Sequence, residues 1–162
     1  MGADTKALRT RIKSVRSTMH LTKAMGLVAS SKIRRANDAM HKAADYAGAL
    51  SDMTAVLLRC PECAKSPYLR QEGDRTRLIV IAGDRGLAGG YNANVFRLTD
   101  GWLAGHPGAR VIALGRRACD RYGAPEEGRN SSEKYTAAQA LTLARTLCAA
   151  FLQGTVQSVT VV

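Results

Sequence analysis

The apolar and polar positions follow one period through the first third of the chain and another through the rest. From Leu8 onward, apolar or small residues recur at alternating spacings of four and three: Leu8, Ile12, Val15, Met19, Thr22, Gly26, Ala29, Ile33, Ala36, Met40, Ala43, Ala47, Leu50, Thr54 and Leu57. A seven-residue repeat sustained over about seven heptads predicts a helix supercoiled left-handedly against a partner. At about 1.5 Å rise, ~50 residues make a rod of roughly 75 Å. An amphipathic helix lying on its own domain is the plainer alternative. Globular helices average about 11 or 12 residues, however, and no proline interrupts the pattern before Pro61, which favours the coiled coil. The large side chains of the seam are Leu8, Ile12, Val15, Met19, Ile33, Met40, Leu50 and Leu57. Thr22, Gly26, Ala29, Ala36, Ala43 and Ala47 lie between them, so the seam suits close approach with modest adhesion. Gly26 and Gly48 each cost about 1 kcal/mol against Ala inside a helix, which points to local close packing or a bend. The helix is expected to stop near Cys60-Pro61.

After a stretch containing two prolines, a glycine and several charges, residues 61–76, the pattern changes to short apolar runs separated by helical segments. Leu78-Ile-Val-Ile-Ala82 suits a strand covered on both faces. The loop Gly83-Asp-Arg-Gly-Leu-Ala-Gly-Gly90 follows, then a helix from about Asn92 to Ala104, bounded by Gly105 and Pro107. Val111–Leu114 predicts a second strand, Arg116–Tyr122 a short helix, Thr136–Leu152 a strong helix and Val156–Val162 a third strand. Strand and helix alternating at this spacing indicate a parallel sheet. The expected architecture is therefore α/β: a long coiled-coil helix over 1–60, a linker over 61–76 and a Rossmann-like parallel α/β domain over 77–162. The last apolar run reaches the final residue, so this domain is expected to be incomplete.

Charge narrows the partners without choosing one. The 162 residues hold 24 Lys plus Arg against 13 Asp plus Glu, a net charge of +11. Residues 1–59 carry 11 basic and 4 acidic side chains, net +7, so the excess sits mainly on the rod. An acidic partner is implied, whether nucleic acid, membrane headgroups or acidic protein. No stretch approaches the roughly 20 apolar residues of a membrane span, and no apolar signal-peptide core follows the early charges, so a cytoplasmic location is expected. Cys60, Cys63, Cys119 and Cys148 do not suggest a disulfide-built fold in a chain with a usable core, and reduced thiols are the default.

Each candidate motif has a plain reading beside it. The Gly83–Gly90 loop sits after a strand and before a helix, where backbone amides often hold phosphate. Its spacing, G-x-x-G-x-x-G-G, matches neither the dinucleotide fingerprint nor the phosphate loop, because no Lys-Ser/Thr follows and no acidic residue ends the second strand. Cys60-Pro-Glu-Cys63 has zinc-ligand spacing, but Cys119 and Cys148 fall in separate helices without a second pair, and a reversible local disulfide competes with metal. His20, His41 and His106 lack a Ser, Cys or carboxylate at catalytic spacing, and no catalytic, cofactor or metal site is expected. Lys23, Lys32, Arg34 and Arg35 form a basic cluster that could follow DNA phosphates, or be a solvated face.

Two blocks connect these features. Leu21-Thr-Lys-Ala-Met25, Val28-Ala-Ser-Ser-Lys32 and Arg34-Arg-Ala36 resemble the N-terminal helix of the γ subunits of F-type ATP synthases. Ile79-Val-Ile-Ala-Gly-Asp-Arg-Gly-Leu-Ala-Gly-Gly-Tyr-Asn92 resembles the same family's strand and glycine loop, and Leu114-Gly-Arg-Arg-Ala-Cys-Asp-Arg-Tyr122 is a weaker echo. The likeness spans nearly the whole chain. Gly26 and the Cys60/Cys63 pair depart from the family's pattern. The resemblance implies a non-catalytic rotor shaft of a proton-translocating complex, cut before the C-terminal helix that pairs with the N-terminal one. It implies as partners the α and β subunits, the ε subunit and the membrane rotor ring, with the membrane met only through the complex. The implied place is the cytoplasmic face of the bacterial plasma membrane, as a peripheral subunit, with no nucleic acid bound. Lys23, Met25, Lys32, Asp84, Arg85, Gly86, Gly89 and Gly90 are implied as subunit contacts. Outside that resemblance, a basic coiled coil that binds nucleic acid is the second reading, and a nucleotide-binding α/β enzyme domain the third.

Overall fold

The computed structural model describes residues 2–69, 75–124 and 130–162, with side chains from residue 4 onward. Residues 70–74 of the expected linker lie outside the described residues. The chain divides into two compact units, Met1–Ala64 and Lys65–Val162.

The first unit is built on one helix, α1, Gly2–Leu58, of 57 residues, or about 85 Å at 1.5 Å per residue. Hydroxyl side chains inside a helix compete for its backbone, and here they do so harmlessly. Thr10, Thr18, Thr22, Ser30 and Thr54 each donate to the carbonyl four residues earlier, at 2.8–3.1 Å. Thr22 and Thr54, both seam positions, thereby satisfy their hydroxyls within the helix. The helix closes with Arg59 N–H bonded to Val56 O and Cys60 N–H to Leu57 O, both at 3.1 Å. The 3-10 turn Pro61–Lys65 follows.

The second unit is a three-stranded parallel sheet in the order β2-β1-β3. Its elements are β1 (Thr76–Ile81), α2 (Tyr91–Ala104), β2 (Arg110–Leu114), α3 (Arg116–Tyr122), α4 (Ala137–Leu152) and β3 (Ser158–Val161). Leu78 of β1 pairs with Val111 of β2 and Thr160 of β3. Two further bonds carry the ladder past the strand ends, Ala82 N–H to Leu114 O and Ile81 N–H to Val162 O. The fold is thus α/β with mostly helical content, as the alternation of periods predicts.

Burial is one-sided. Leu78, Val80 and Ala82 are at most 1% exposed and pack with Val95, Ala113, Ala118 and Cys119; Phe96, Trp102, Leu103 and Tyr122 flank them. Ile79 on the opposite face is half-buried and Ile81 is 40% exposed, so the expectation of a strand covered on both faces holds for one face only. The reason is α4, none of whose residues is buried. Leu143, Ala144 and Leu147 of α4 stand across an apolar cleft of about 440 Å³ from Ile79, Ile81, Val159 and Val161. β3 correspondingly exposes Val159 and Val161. Tyr68 of the short turn Pro67–Leu69 stacks on Phe151 of α4, with ring centroids 6.2 Å apart.

Candidate functional site

The glycine loop between β1 and α2 is held by bonds from beneath. Gly83 N–H donates to Asn92 Oδ1 at 2.9 Å, and the same Asn92 atom would lie 3.3 Å from a Cβ at Gly83. Arg117 N–H donates to Gly83 O at 3.1 Å, and Tyr91 Oη to Ile81 O at 3.2 Å. A Cβ at Gly86 would meet Arg117 Nη2 at 3.0 Å, so a side chain there would have to displace the guanidinium.

Asp84 anchors the loop to two distant segments. Its Oδ1 accepts from the backbone amides of Arg116 and Ser132, both at 3.0 Å. Its Oδ2 accepts from Ser131 Oγ at 2.5 Å and Glu133 N–H at 3.0 Å. One carboxylate therefore ties the loop to the first turn of α3 and to the 3-10 turn Ser132–Lys134. Burial pushes the Asp84 carboxyl up, but the Ser131 hydroxyl and the three amides outweigh it and hold the group well below the usual carboxylate range. Asp84 is one of the implied subunit contacts, and both of its oxygens accept bonds from within the chain.

The outer rim is different. Arg85, Gly86, Leu87, Ala88, Gly89 and Gly90 are all exposed. Leu87 is 101% exposed and sits at φ 60°, the left-handed region that a non-glycine residue adopts at a cost of about 1–2 kcal/mol. Gly89, at φ 57°, takes the same conformation without that cost. A fully wet leucine held in strained backbone at a loop tip contributes nothing to this unit's core. Sequence reading passed over Leu87 because its φ is invisible there; an isolated leucine between glycines was the only available signal.

On α1, Lys23, Met25 and Lys32 lie along the exposed surface, Met25 at 56% exposure. The eight large seam residues, from Leu8 to Leu57, are each 46–62% exposed. A Cβ at Gly26 or Gly48 would meet nothing within 4 Å, so of the close packing or bend expected there the close packing has no counterpart among the described residues. Among the described residues of the first unit, nothing covers the heptad positions. Among the described residues no group of three or more His, Cys, Asp or Glu side chains could hold a metal ion, and no helix is long and apolar enough to cross a membrane.

These features define a class: a helical rod with an uncovered seam, joined in sequence to a small parallel α/β unit that presents a braced glycine loop. Sequence comparison assigns the family. Residues 4–162 match the family described as ATP synthase, and the chain belongs to the ATP synthase gamma-chain family. It is 36% identical over 168 residues to the ATP synthase gamma chain of Moorella thermoacetica, a match covering 99% of this chain and 59% of that protein. The gamma chain of Opitutus terrae is 42% identical over 123 residues, 71% of this chain and 42% of that protein. That of Caulobacter vibrioides is 36% identical over 134 residues, 78% of this chain and 46% of the relative. The chain spans less than two thirds of the length of each.

Proposed function

We propose that this chain forms part of the central-stalk shaft of a proton-translocating F-type ATP synthase, transmitting rotation to the catalytic α and β subunits while breaking no bond itself. The observation that carries the reading is the uncovered seam of α1. Leu8, Ile12, Val15, Met19, Ile33, Met40, Leu50 and Leu57 are all exposed, and each forgoes about 1.5–3 kcal/mol while it stays wet. Such a face calls for a second long helix, and its small residues suit a close partner: Thr22 and Thr54 already donate their hydroxyl protons within the helix, and Gly26 leaves room for a backbone. In this reading residues 1–60 form a coiled coil, 61–76 a linker and 77–162 the α/β domain.

Electrostatics fits a moving contact. A rod of net charge +7 over residues 1–59 is drawn to an acidic collar at long range. Exposed ion pairs contribute only about 0–1 kcal/mol each, so contacts at Lys23, Lys32 and Arg85 can break and re-form as the shaft turns. Met25, Gly86, Gly89 and Gly90 belong to the same contact set, with Leu87 as its apolar tip and Asp84 bracing it from within. The ε subunit and membrane rotor ring complete the set of partners, at the cytoplasmic face of the bacterial plasma membrane. Analytical ultracentrifugation of the chain with and without a long helical peptide bearing a complementary heptad seam tests the coiled coil. Self-association alone, replaced by a one-to-one complex of higher helicity with the peptide, is expected. A stable monomer, fully helical and indifferent to the peptide, would overturn it.

A further inference from the structure

We propose that Cys60 and Cys63 are a redox-active dithiol that closes to an intrachain disulfide across the turn ending α1. Cys63 N–H donates to Cys60 O at 3.0 Å, the i to i+3 bond that opens the 3-10 turn Pro61–Lys65. In 3-10 geometry side chains three residues apart eclipse, and three steps of about 2.0 Å separate their Cα atoms by roughly 6 Å. A disulfide requires about 4.4–6.8 Å, so the bridge needs no large backbone movement. Pro61 fixes the torsion at the turn's second position and lowers the entropy of closing the ring. Both cysteines are free and half-buried, within reach of a small reagent, whereas Cys119 is buried against Ala113 O at 3.6 Å.

A structural zinc site is the competing use of this spacing, and it asks for more ligands than the pair supplies. Tetrahedral zinc needs four ligands. Among the described residues no third His, Cys, Asp or Glu joins the pair in a metal-holding group, and Glu62 Oε2 is already engaged by the Cys60 thiol, which donates to it at 2.7 Å. A disulfide needs only the two sulfurs. Desolvation first, and then the neighbouring Cys60 thiol, push the Cys63 thiol above its ordinary value, so thiolate is scarce at neutral pH and exchange is slow but accelerates as pH rises. The oxidant is a small-molecule disulfide such as oxidised glutathione. One cysteine thiolate attacks it and releases one glutathione thiol; the second cysteine then attacks the mixed disulfide and releases another. Two protons and two electrons pass from the cysteines to the glutathione pair.

The test is to equilibrate the full 162-residue chain in graded mixtures of reduced and oxidised glutathione, quench with a maleimide, and map thiols by mass. The expected product loses two hydrogens, carries neither glutathione nor maleimide at Cys60 and Cys63, and is absent in Cys60→Ser and Cys63→Ser. Pro61→Ala should require about two- to fivefold more oxidising mixtures, the cost of restoring freedom to the open turn. Stable mixed disulfides at both positions with no closed species would overturn the proposal. So would stoichiometric zinc shared between two chains that shields both thiols and prevents closure.

Discussion

Replacing Asp84 by Ala removes the acceptor for four donors that arrive from two segments far along the sequence. Two of them, Ser131 Oγ and Ser132 N–H, are partly buried, and two, the Arg116 and Glu133 amides, are exposed. Hydrogen bonds to a charged acceptor contribute about 1.5–3 kcal/mol when sheltered, and exposed ones can turn to water at little loss. The partly buried pair therefore sets the scale, and Asp84→Ala should cost about 2–3 kcal/mol. Asp84→Asn keeps one acceptor oxygen but turns an NH₂ toward incoming donors, and should cost about 1–2 kcal/mol. Urea unfolding read by Trp102 isolates the relevant unit, because Trp102 is the sole tryptophan and packs against the α/β core. With slopes of about 1–3 kcal/mol per molar, the Ala variant should unfold about 0.7–3 M earlier at pH 7. The pH dependence supplies the sign. A carboxyl held below its ordinary value stabilises fully above the unfolded value of about 3.9, and that contribution fades as pH falls toward the folded value. The gap between wild type and Asp84→Ala should therefore narrow below about pH 4. Coincident midpoints at pH 7, or a gap that widens on acidification, would refute the bracing role.

Two other substitutions separate structure from contact. Gly115 lies at φ 92° with a Cβ position 1.9 Å from Ala82 O, so Gly115→Ala should cost at least about 3 kcal/mol in the same urea assay, and an unchanged midpoint would contradict the close approach. Leu87→Gly relieves left-handed strain at a fully exposed site; it should leave the isolated unit as stable, or up to about 1 kcal/mol more so, while weakening assembly with α and β subunits. Loss of stability together with unchanged assembly would show that Leu87 serves its own fold instead.

Legibility of the fold followed from how local each signal was. The short helix Arg116–Tyr122 matches its expected limits because Gly115 and Gly123, both at φ 92°, punctuate it. The strong helix starts where Thr136 and Gln139 form a reciprocal capping box, a cue carried by four residues. In contrast, the run Leu78–Ala82 could not disclose that Ile79 and Ile81 meet only a loosely apposed α4, since a continuous apolar stretch has no alternation to mark a half-covered face. The heptad period marked in advance which large side chains of α1 stand exposed, because that signal repeats every seven residues along one helix. In the glycine loop the sequence marked the position of the candidate site and missed its division of labour. Asp84 acts through Ser131–Glu133, 47 to 49 residues away, and Leu87 owes its prominence to a backbone angle.

The most direct test of the shaft assignment is a disulfide cross-link in an assembled complex containing this chain with the α and β subunits. A cysteine replaces Ala88, at the exposed rim of the loop, in a background where Cys60 and Cys63 are serine, and a second cysteine is placed on the acidic surface of β proposed to meet this loop. An oxidation-dependent cross-link between the two that stops ATP-driven rotation and is reversed by reductant is expected. An intact, active complex in which that pair never cross-links, while Ala88→Cys remains open to a small thiol reagent throughout turnover, would contradict it.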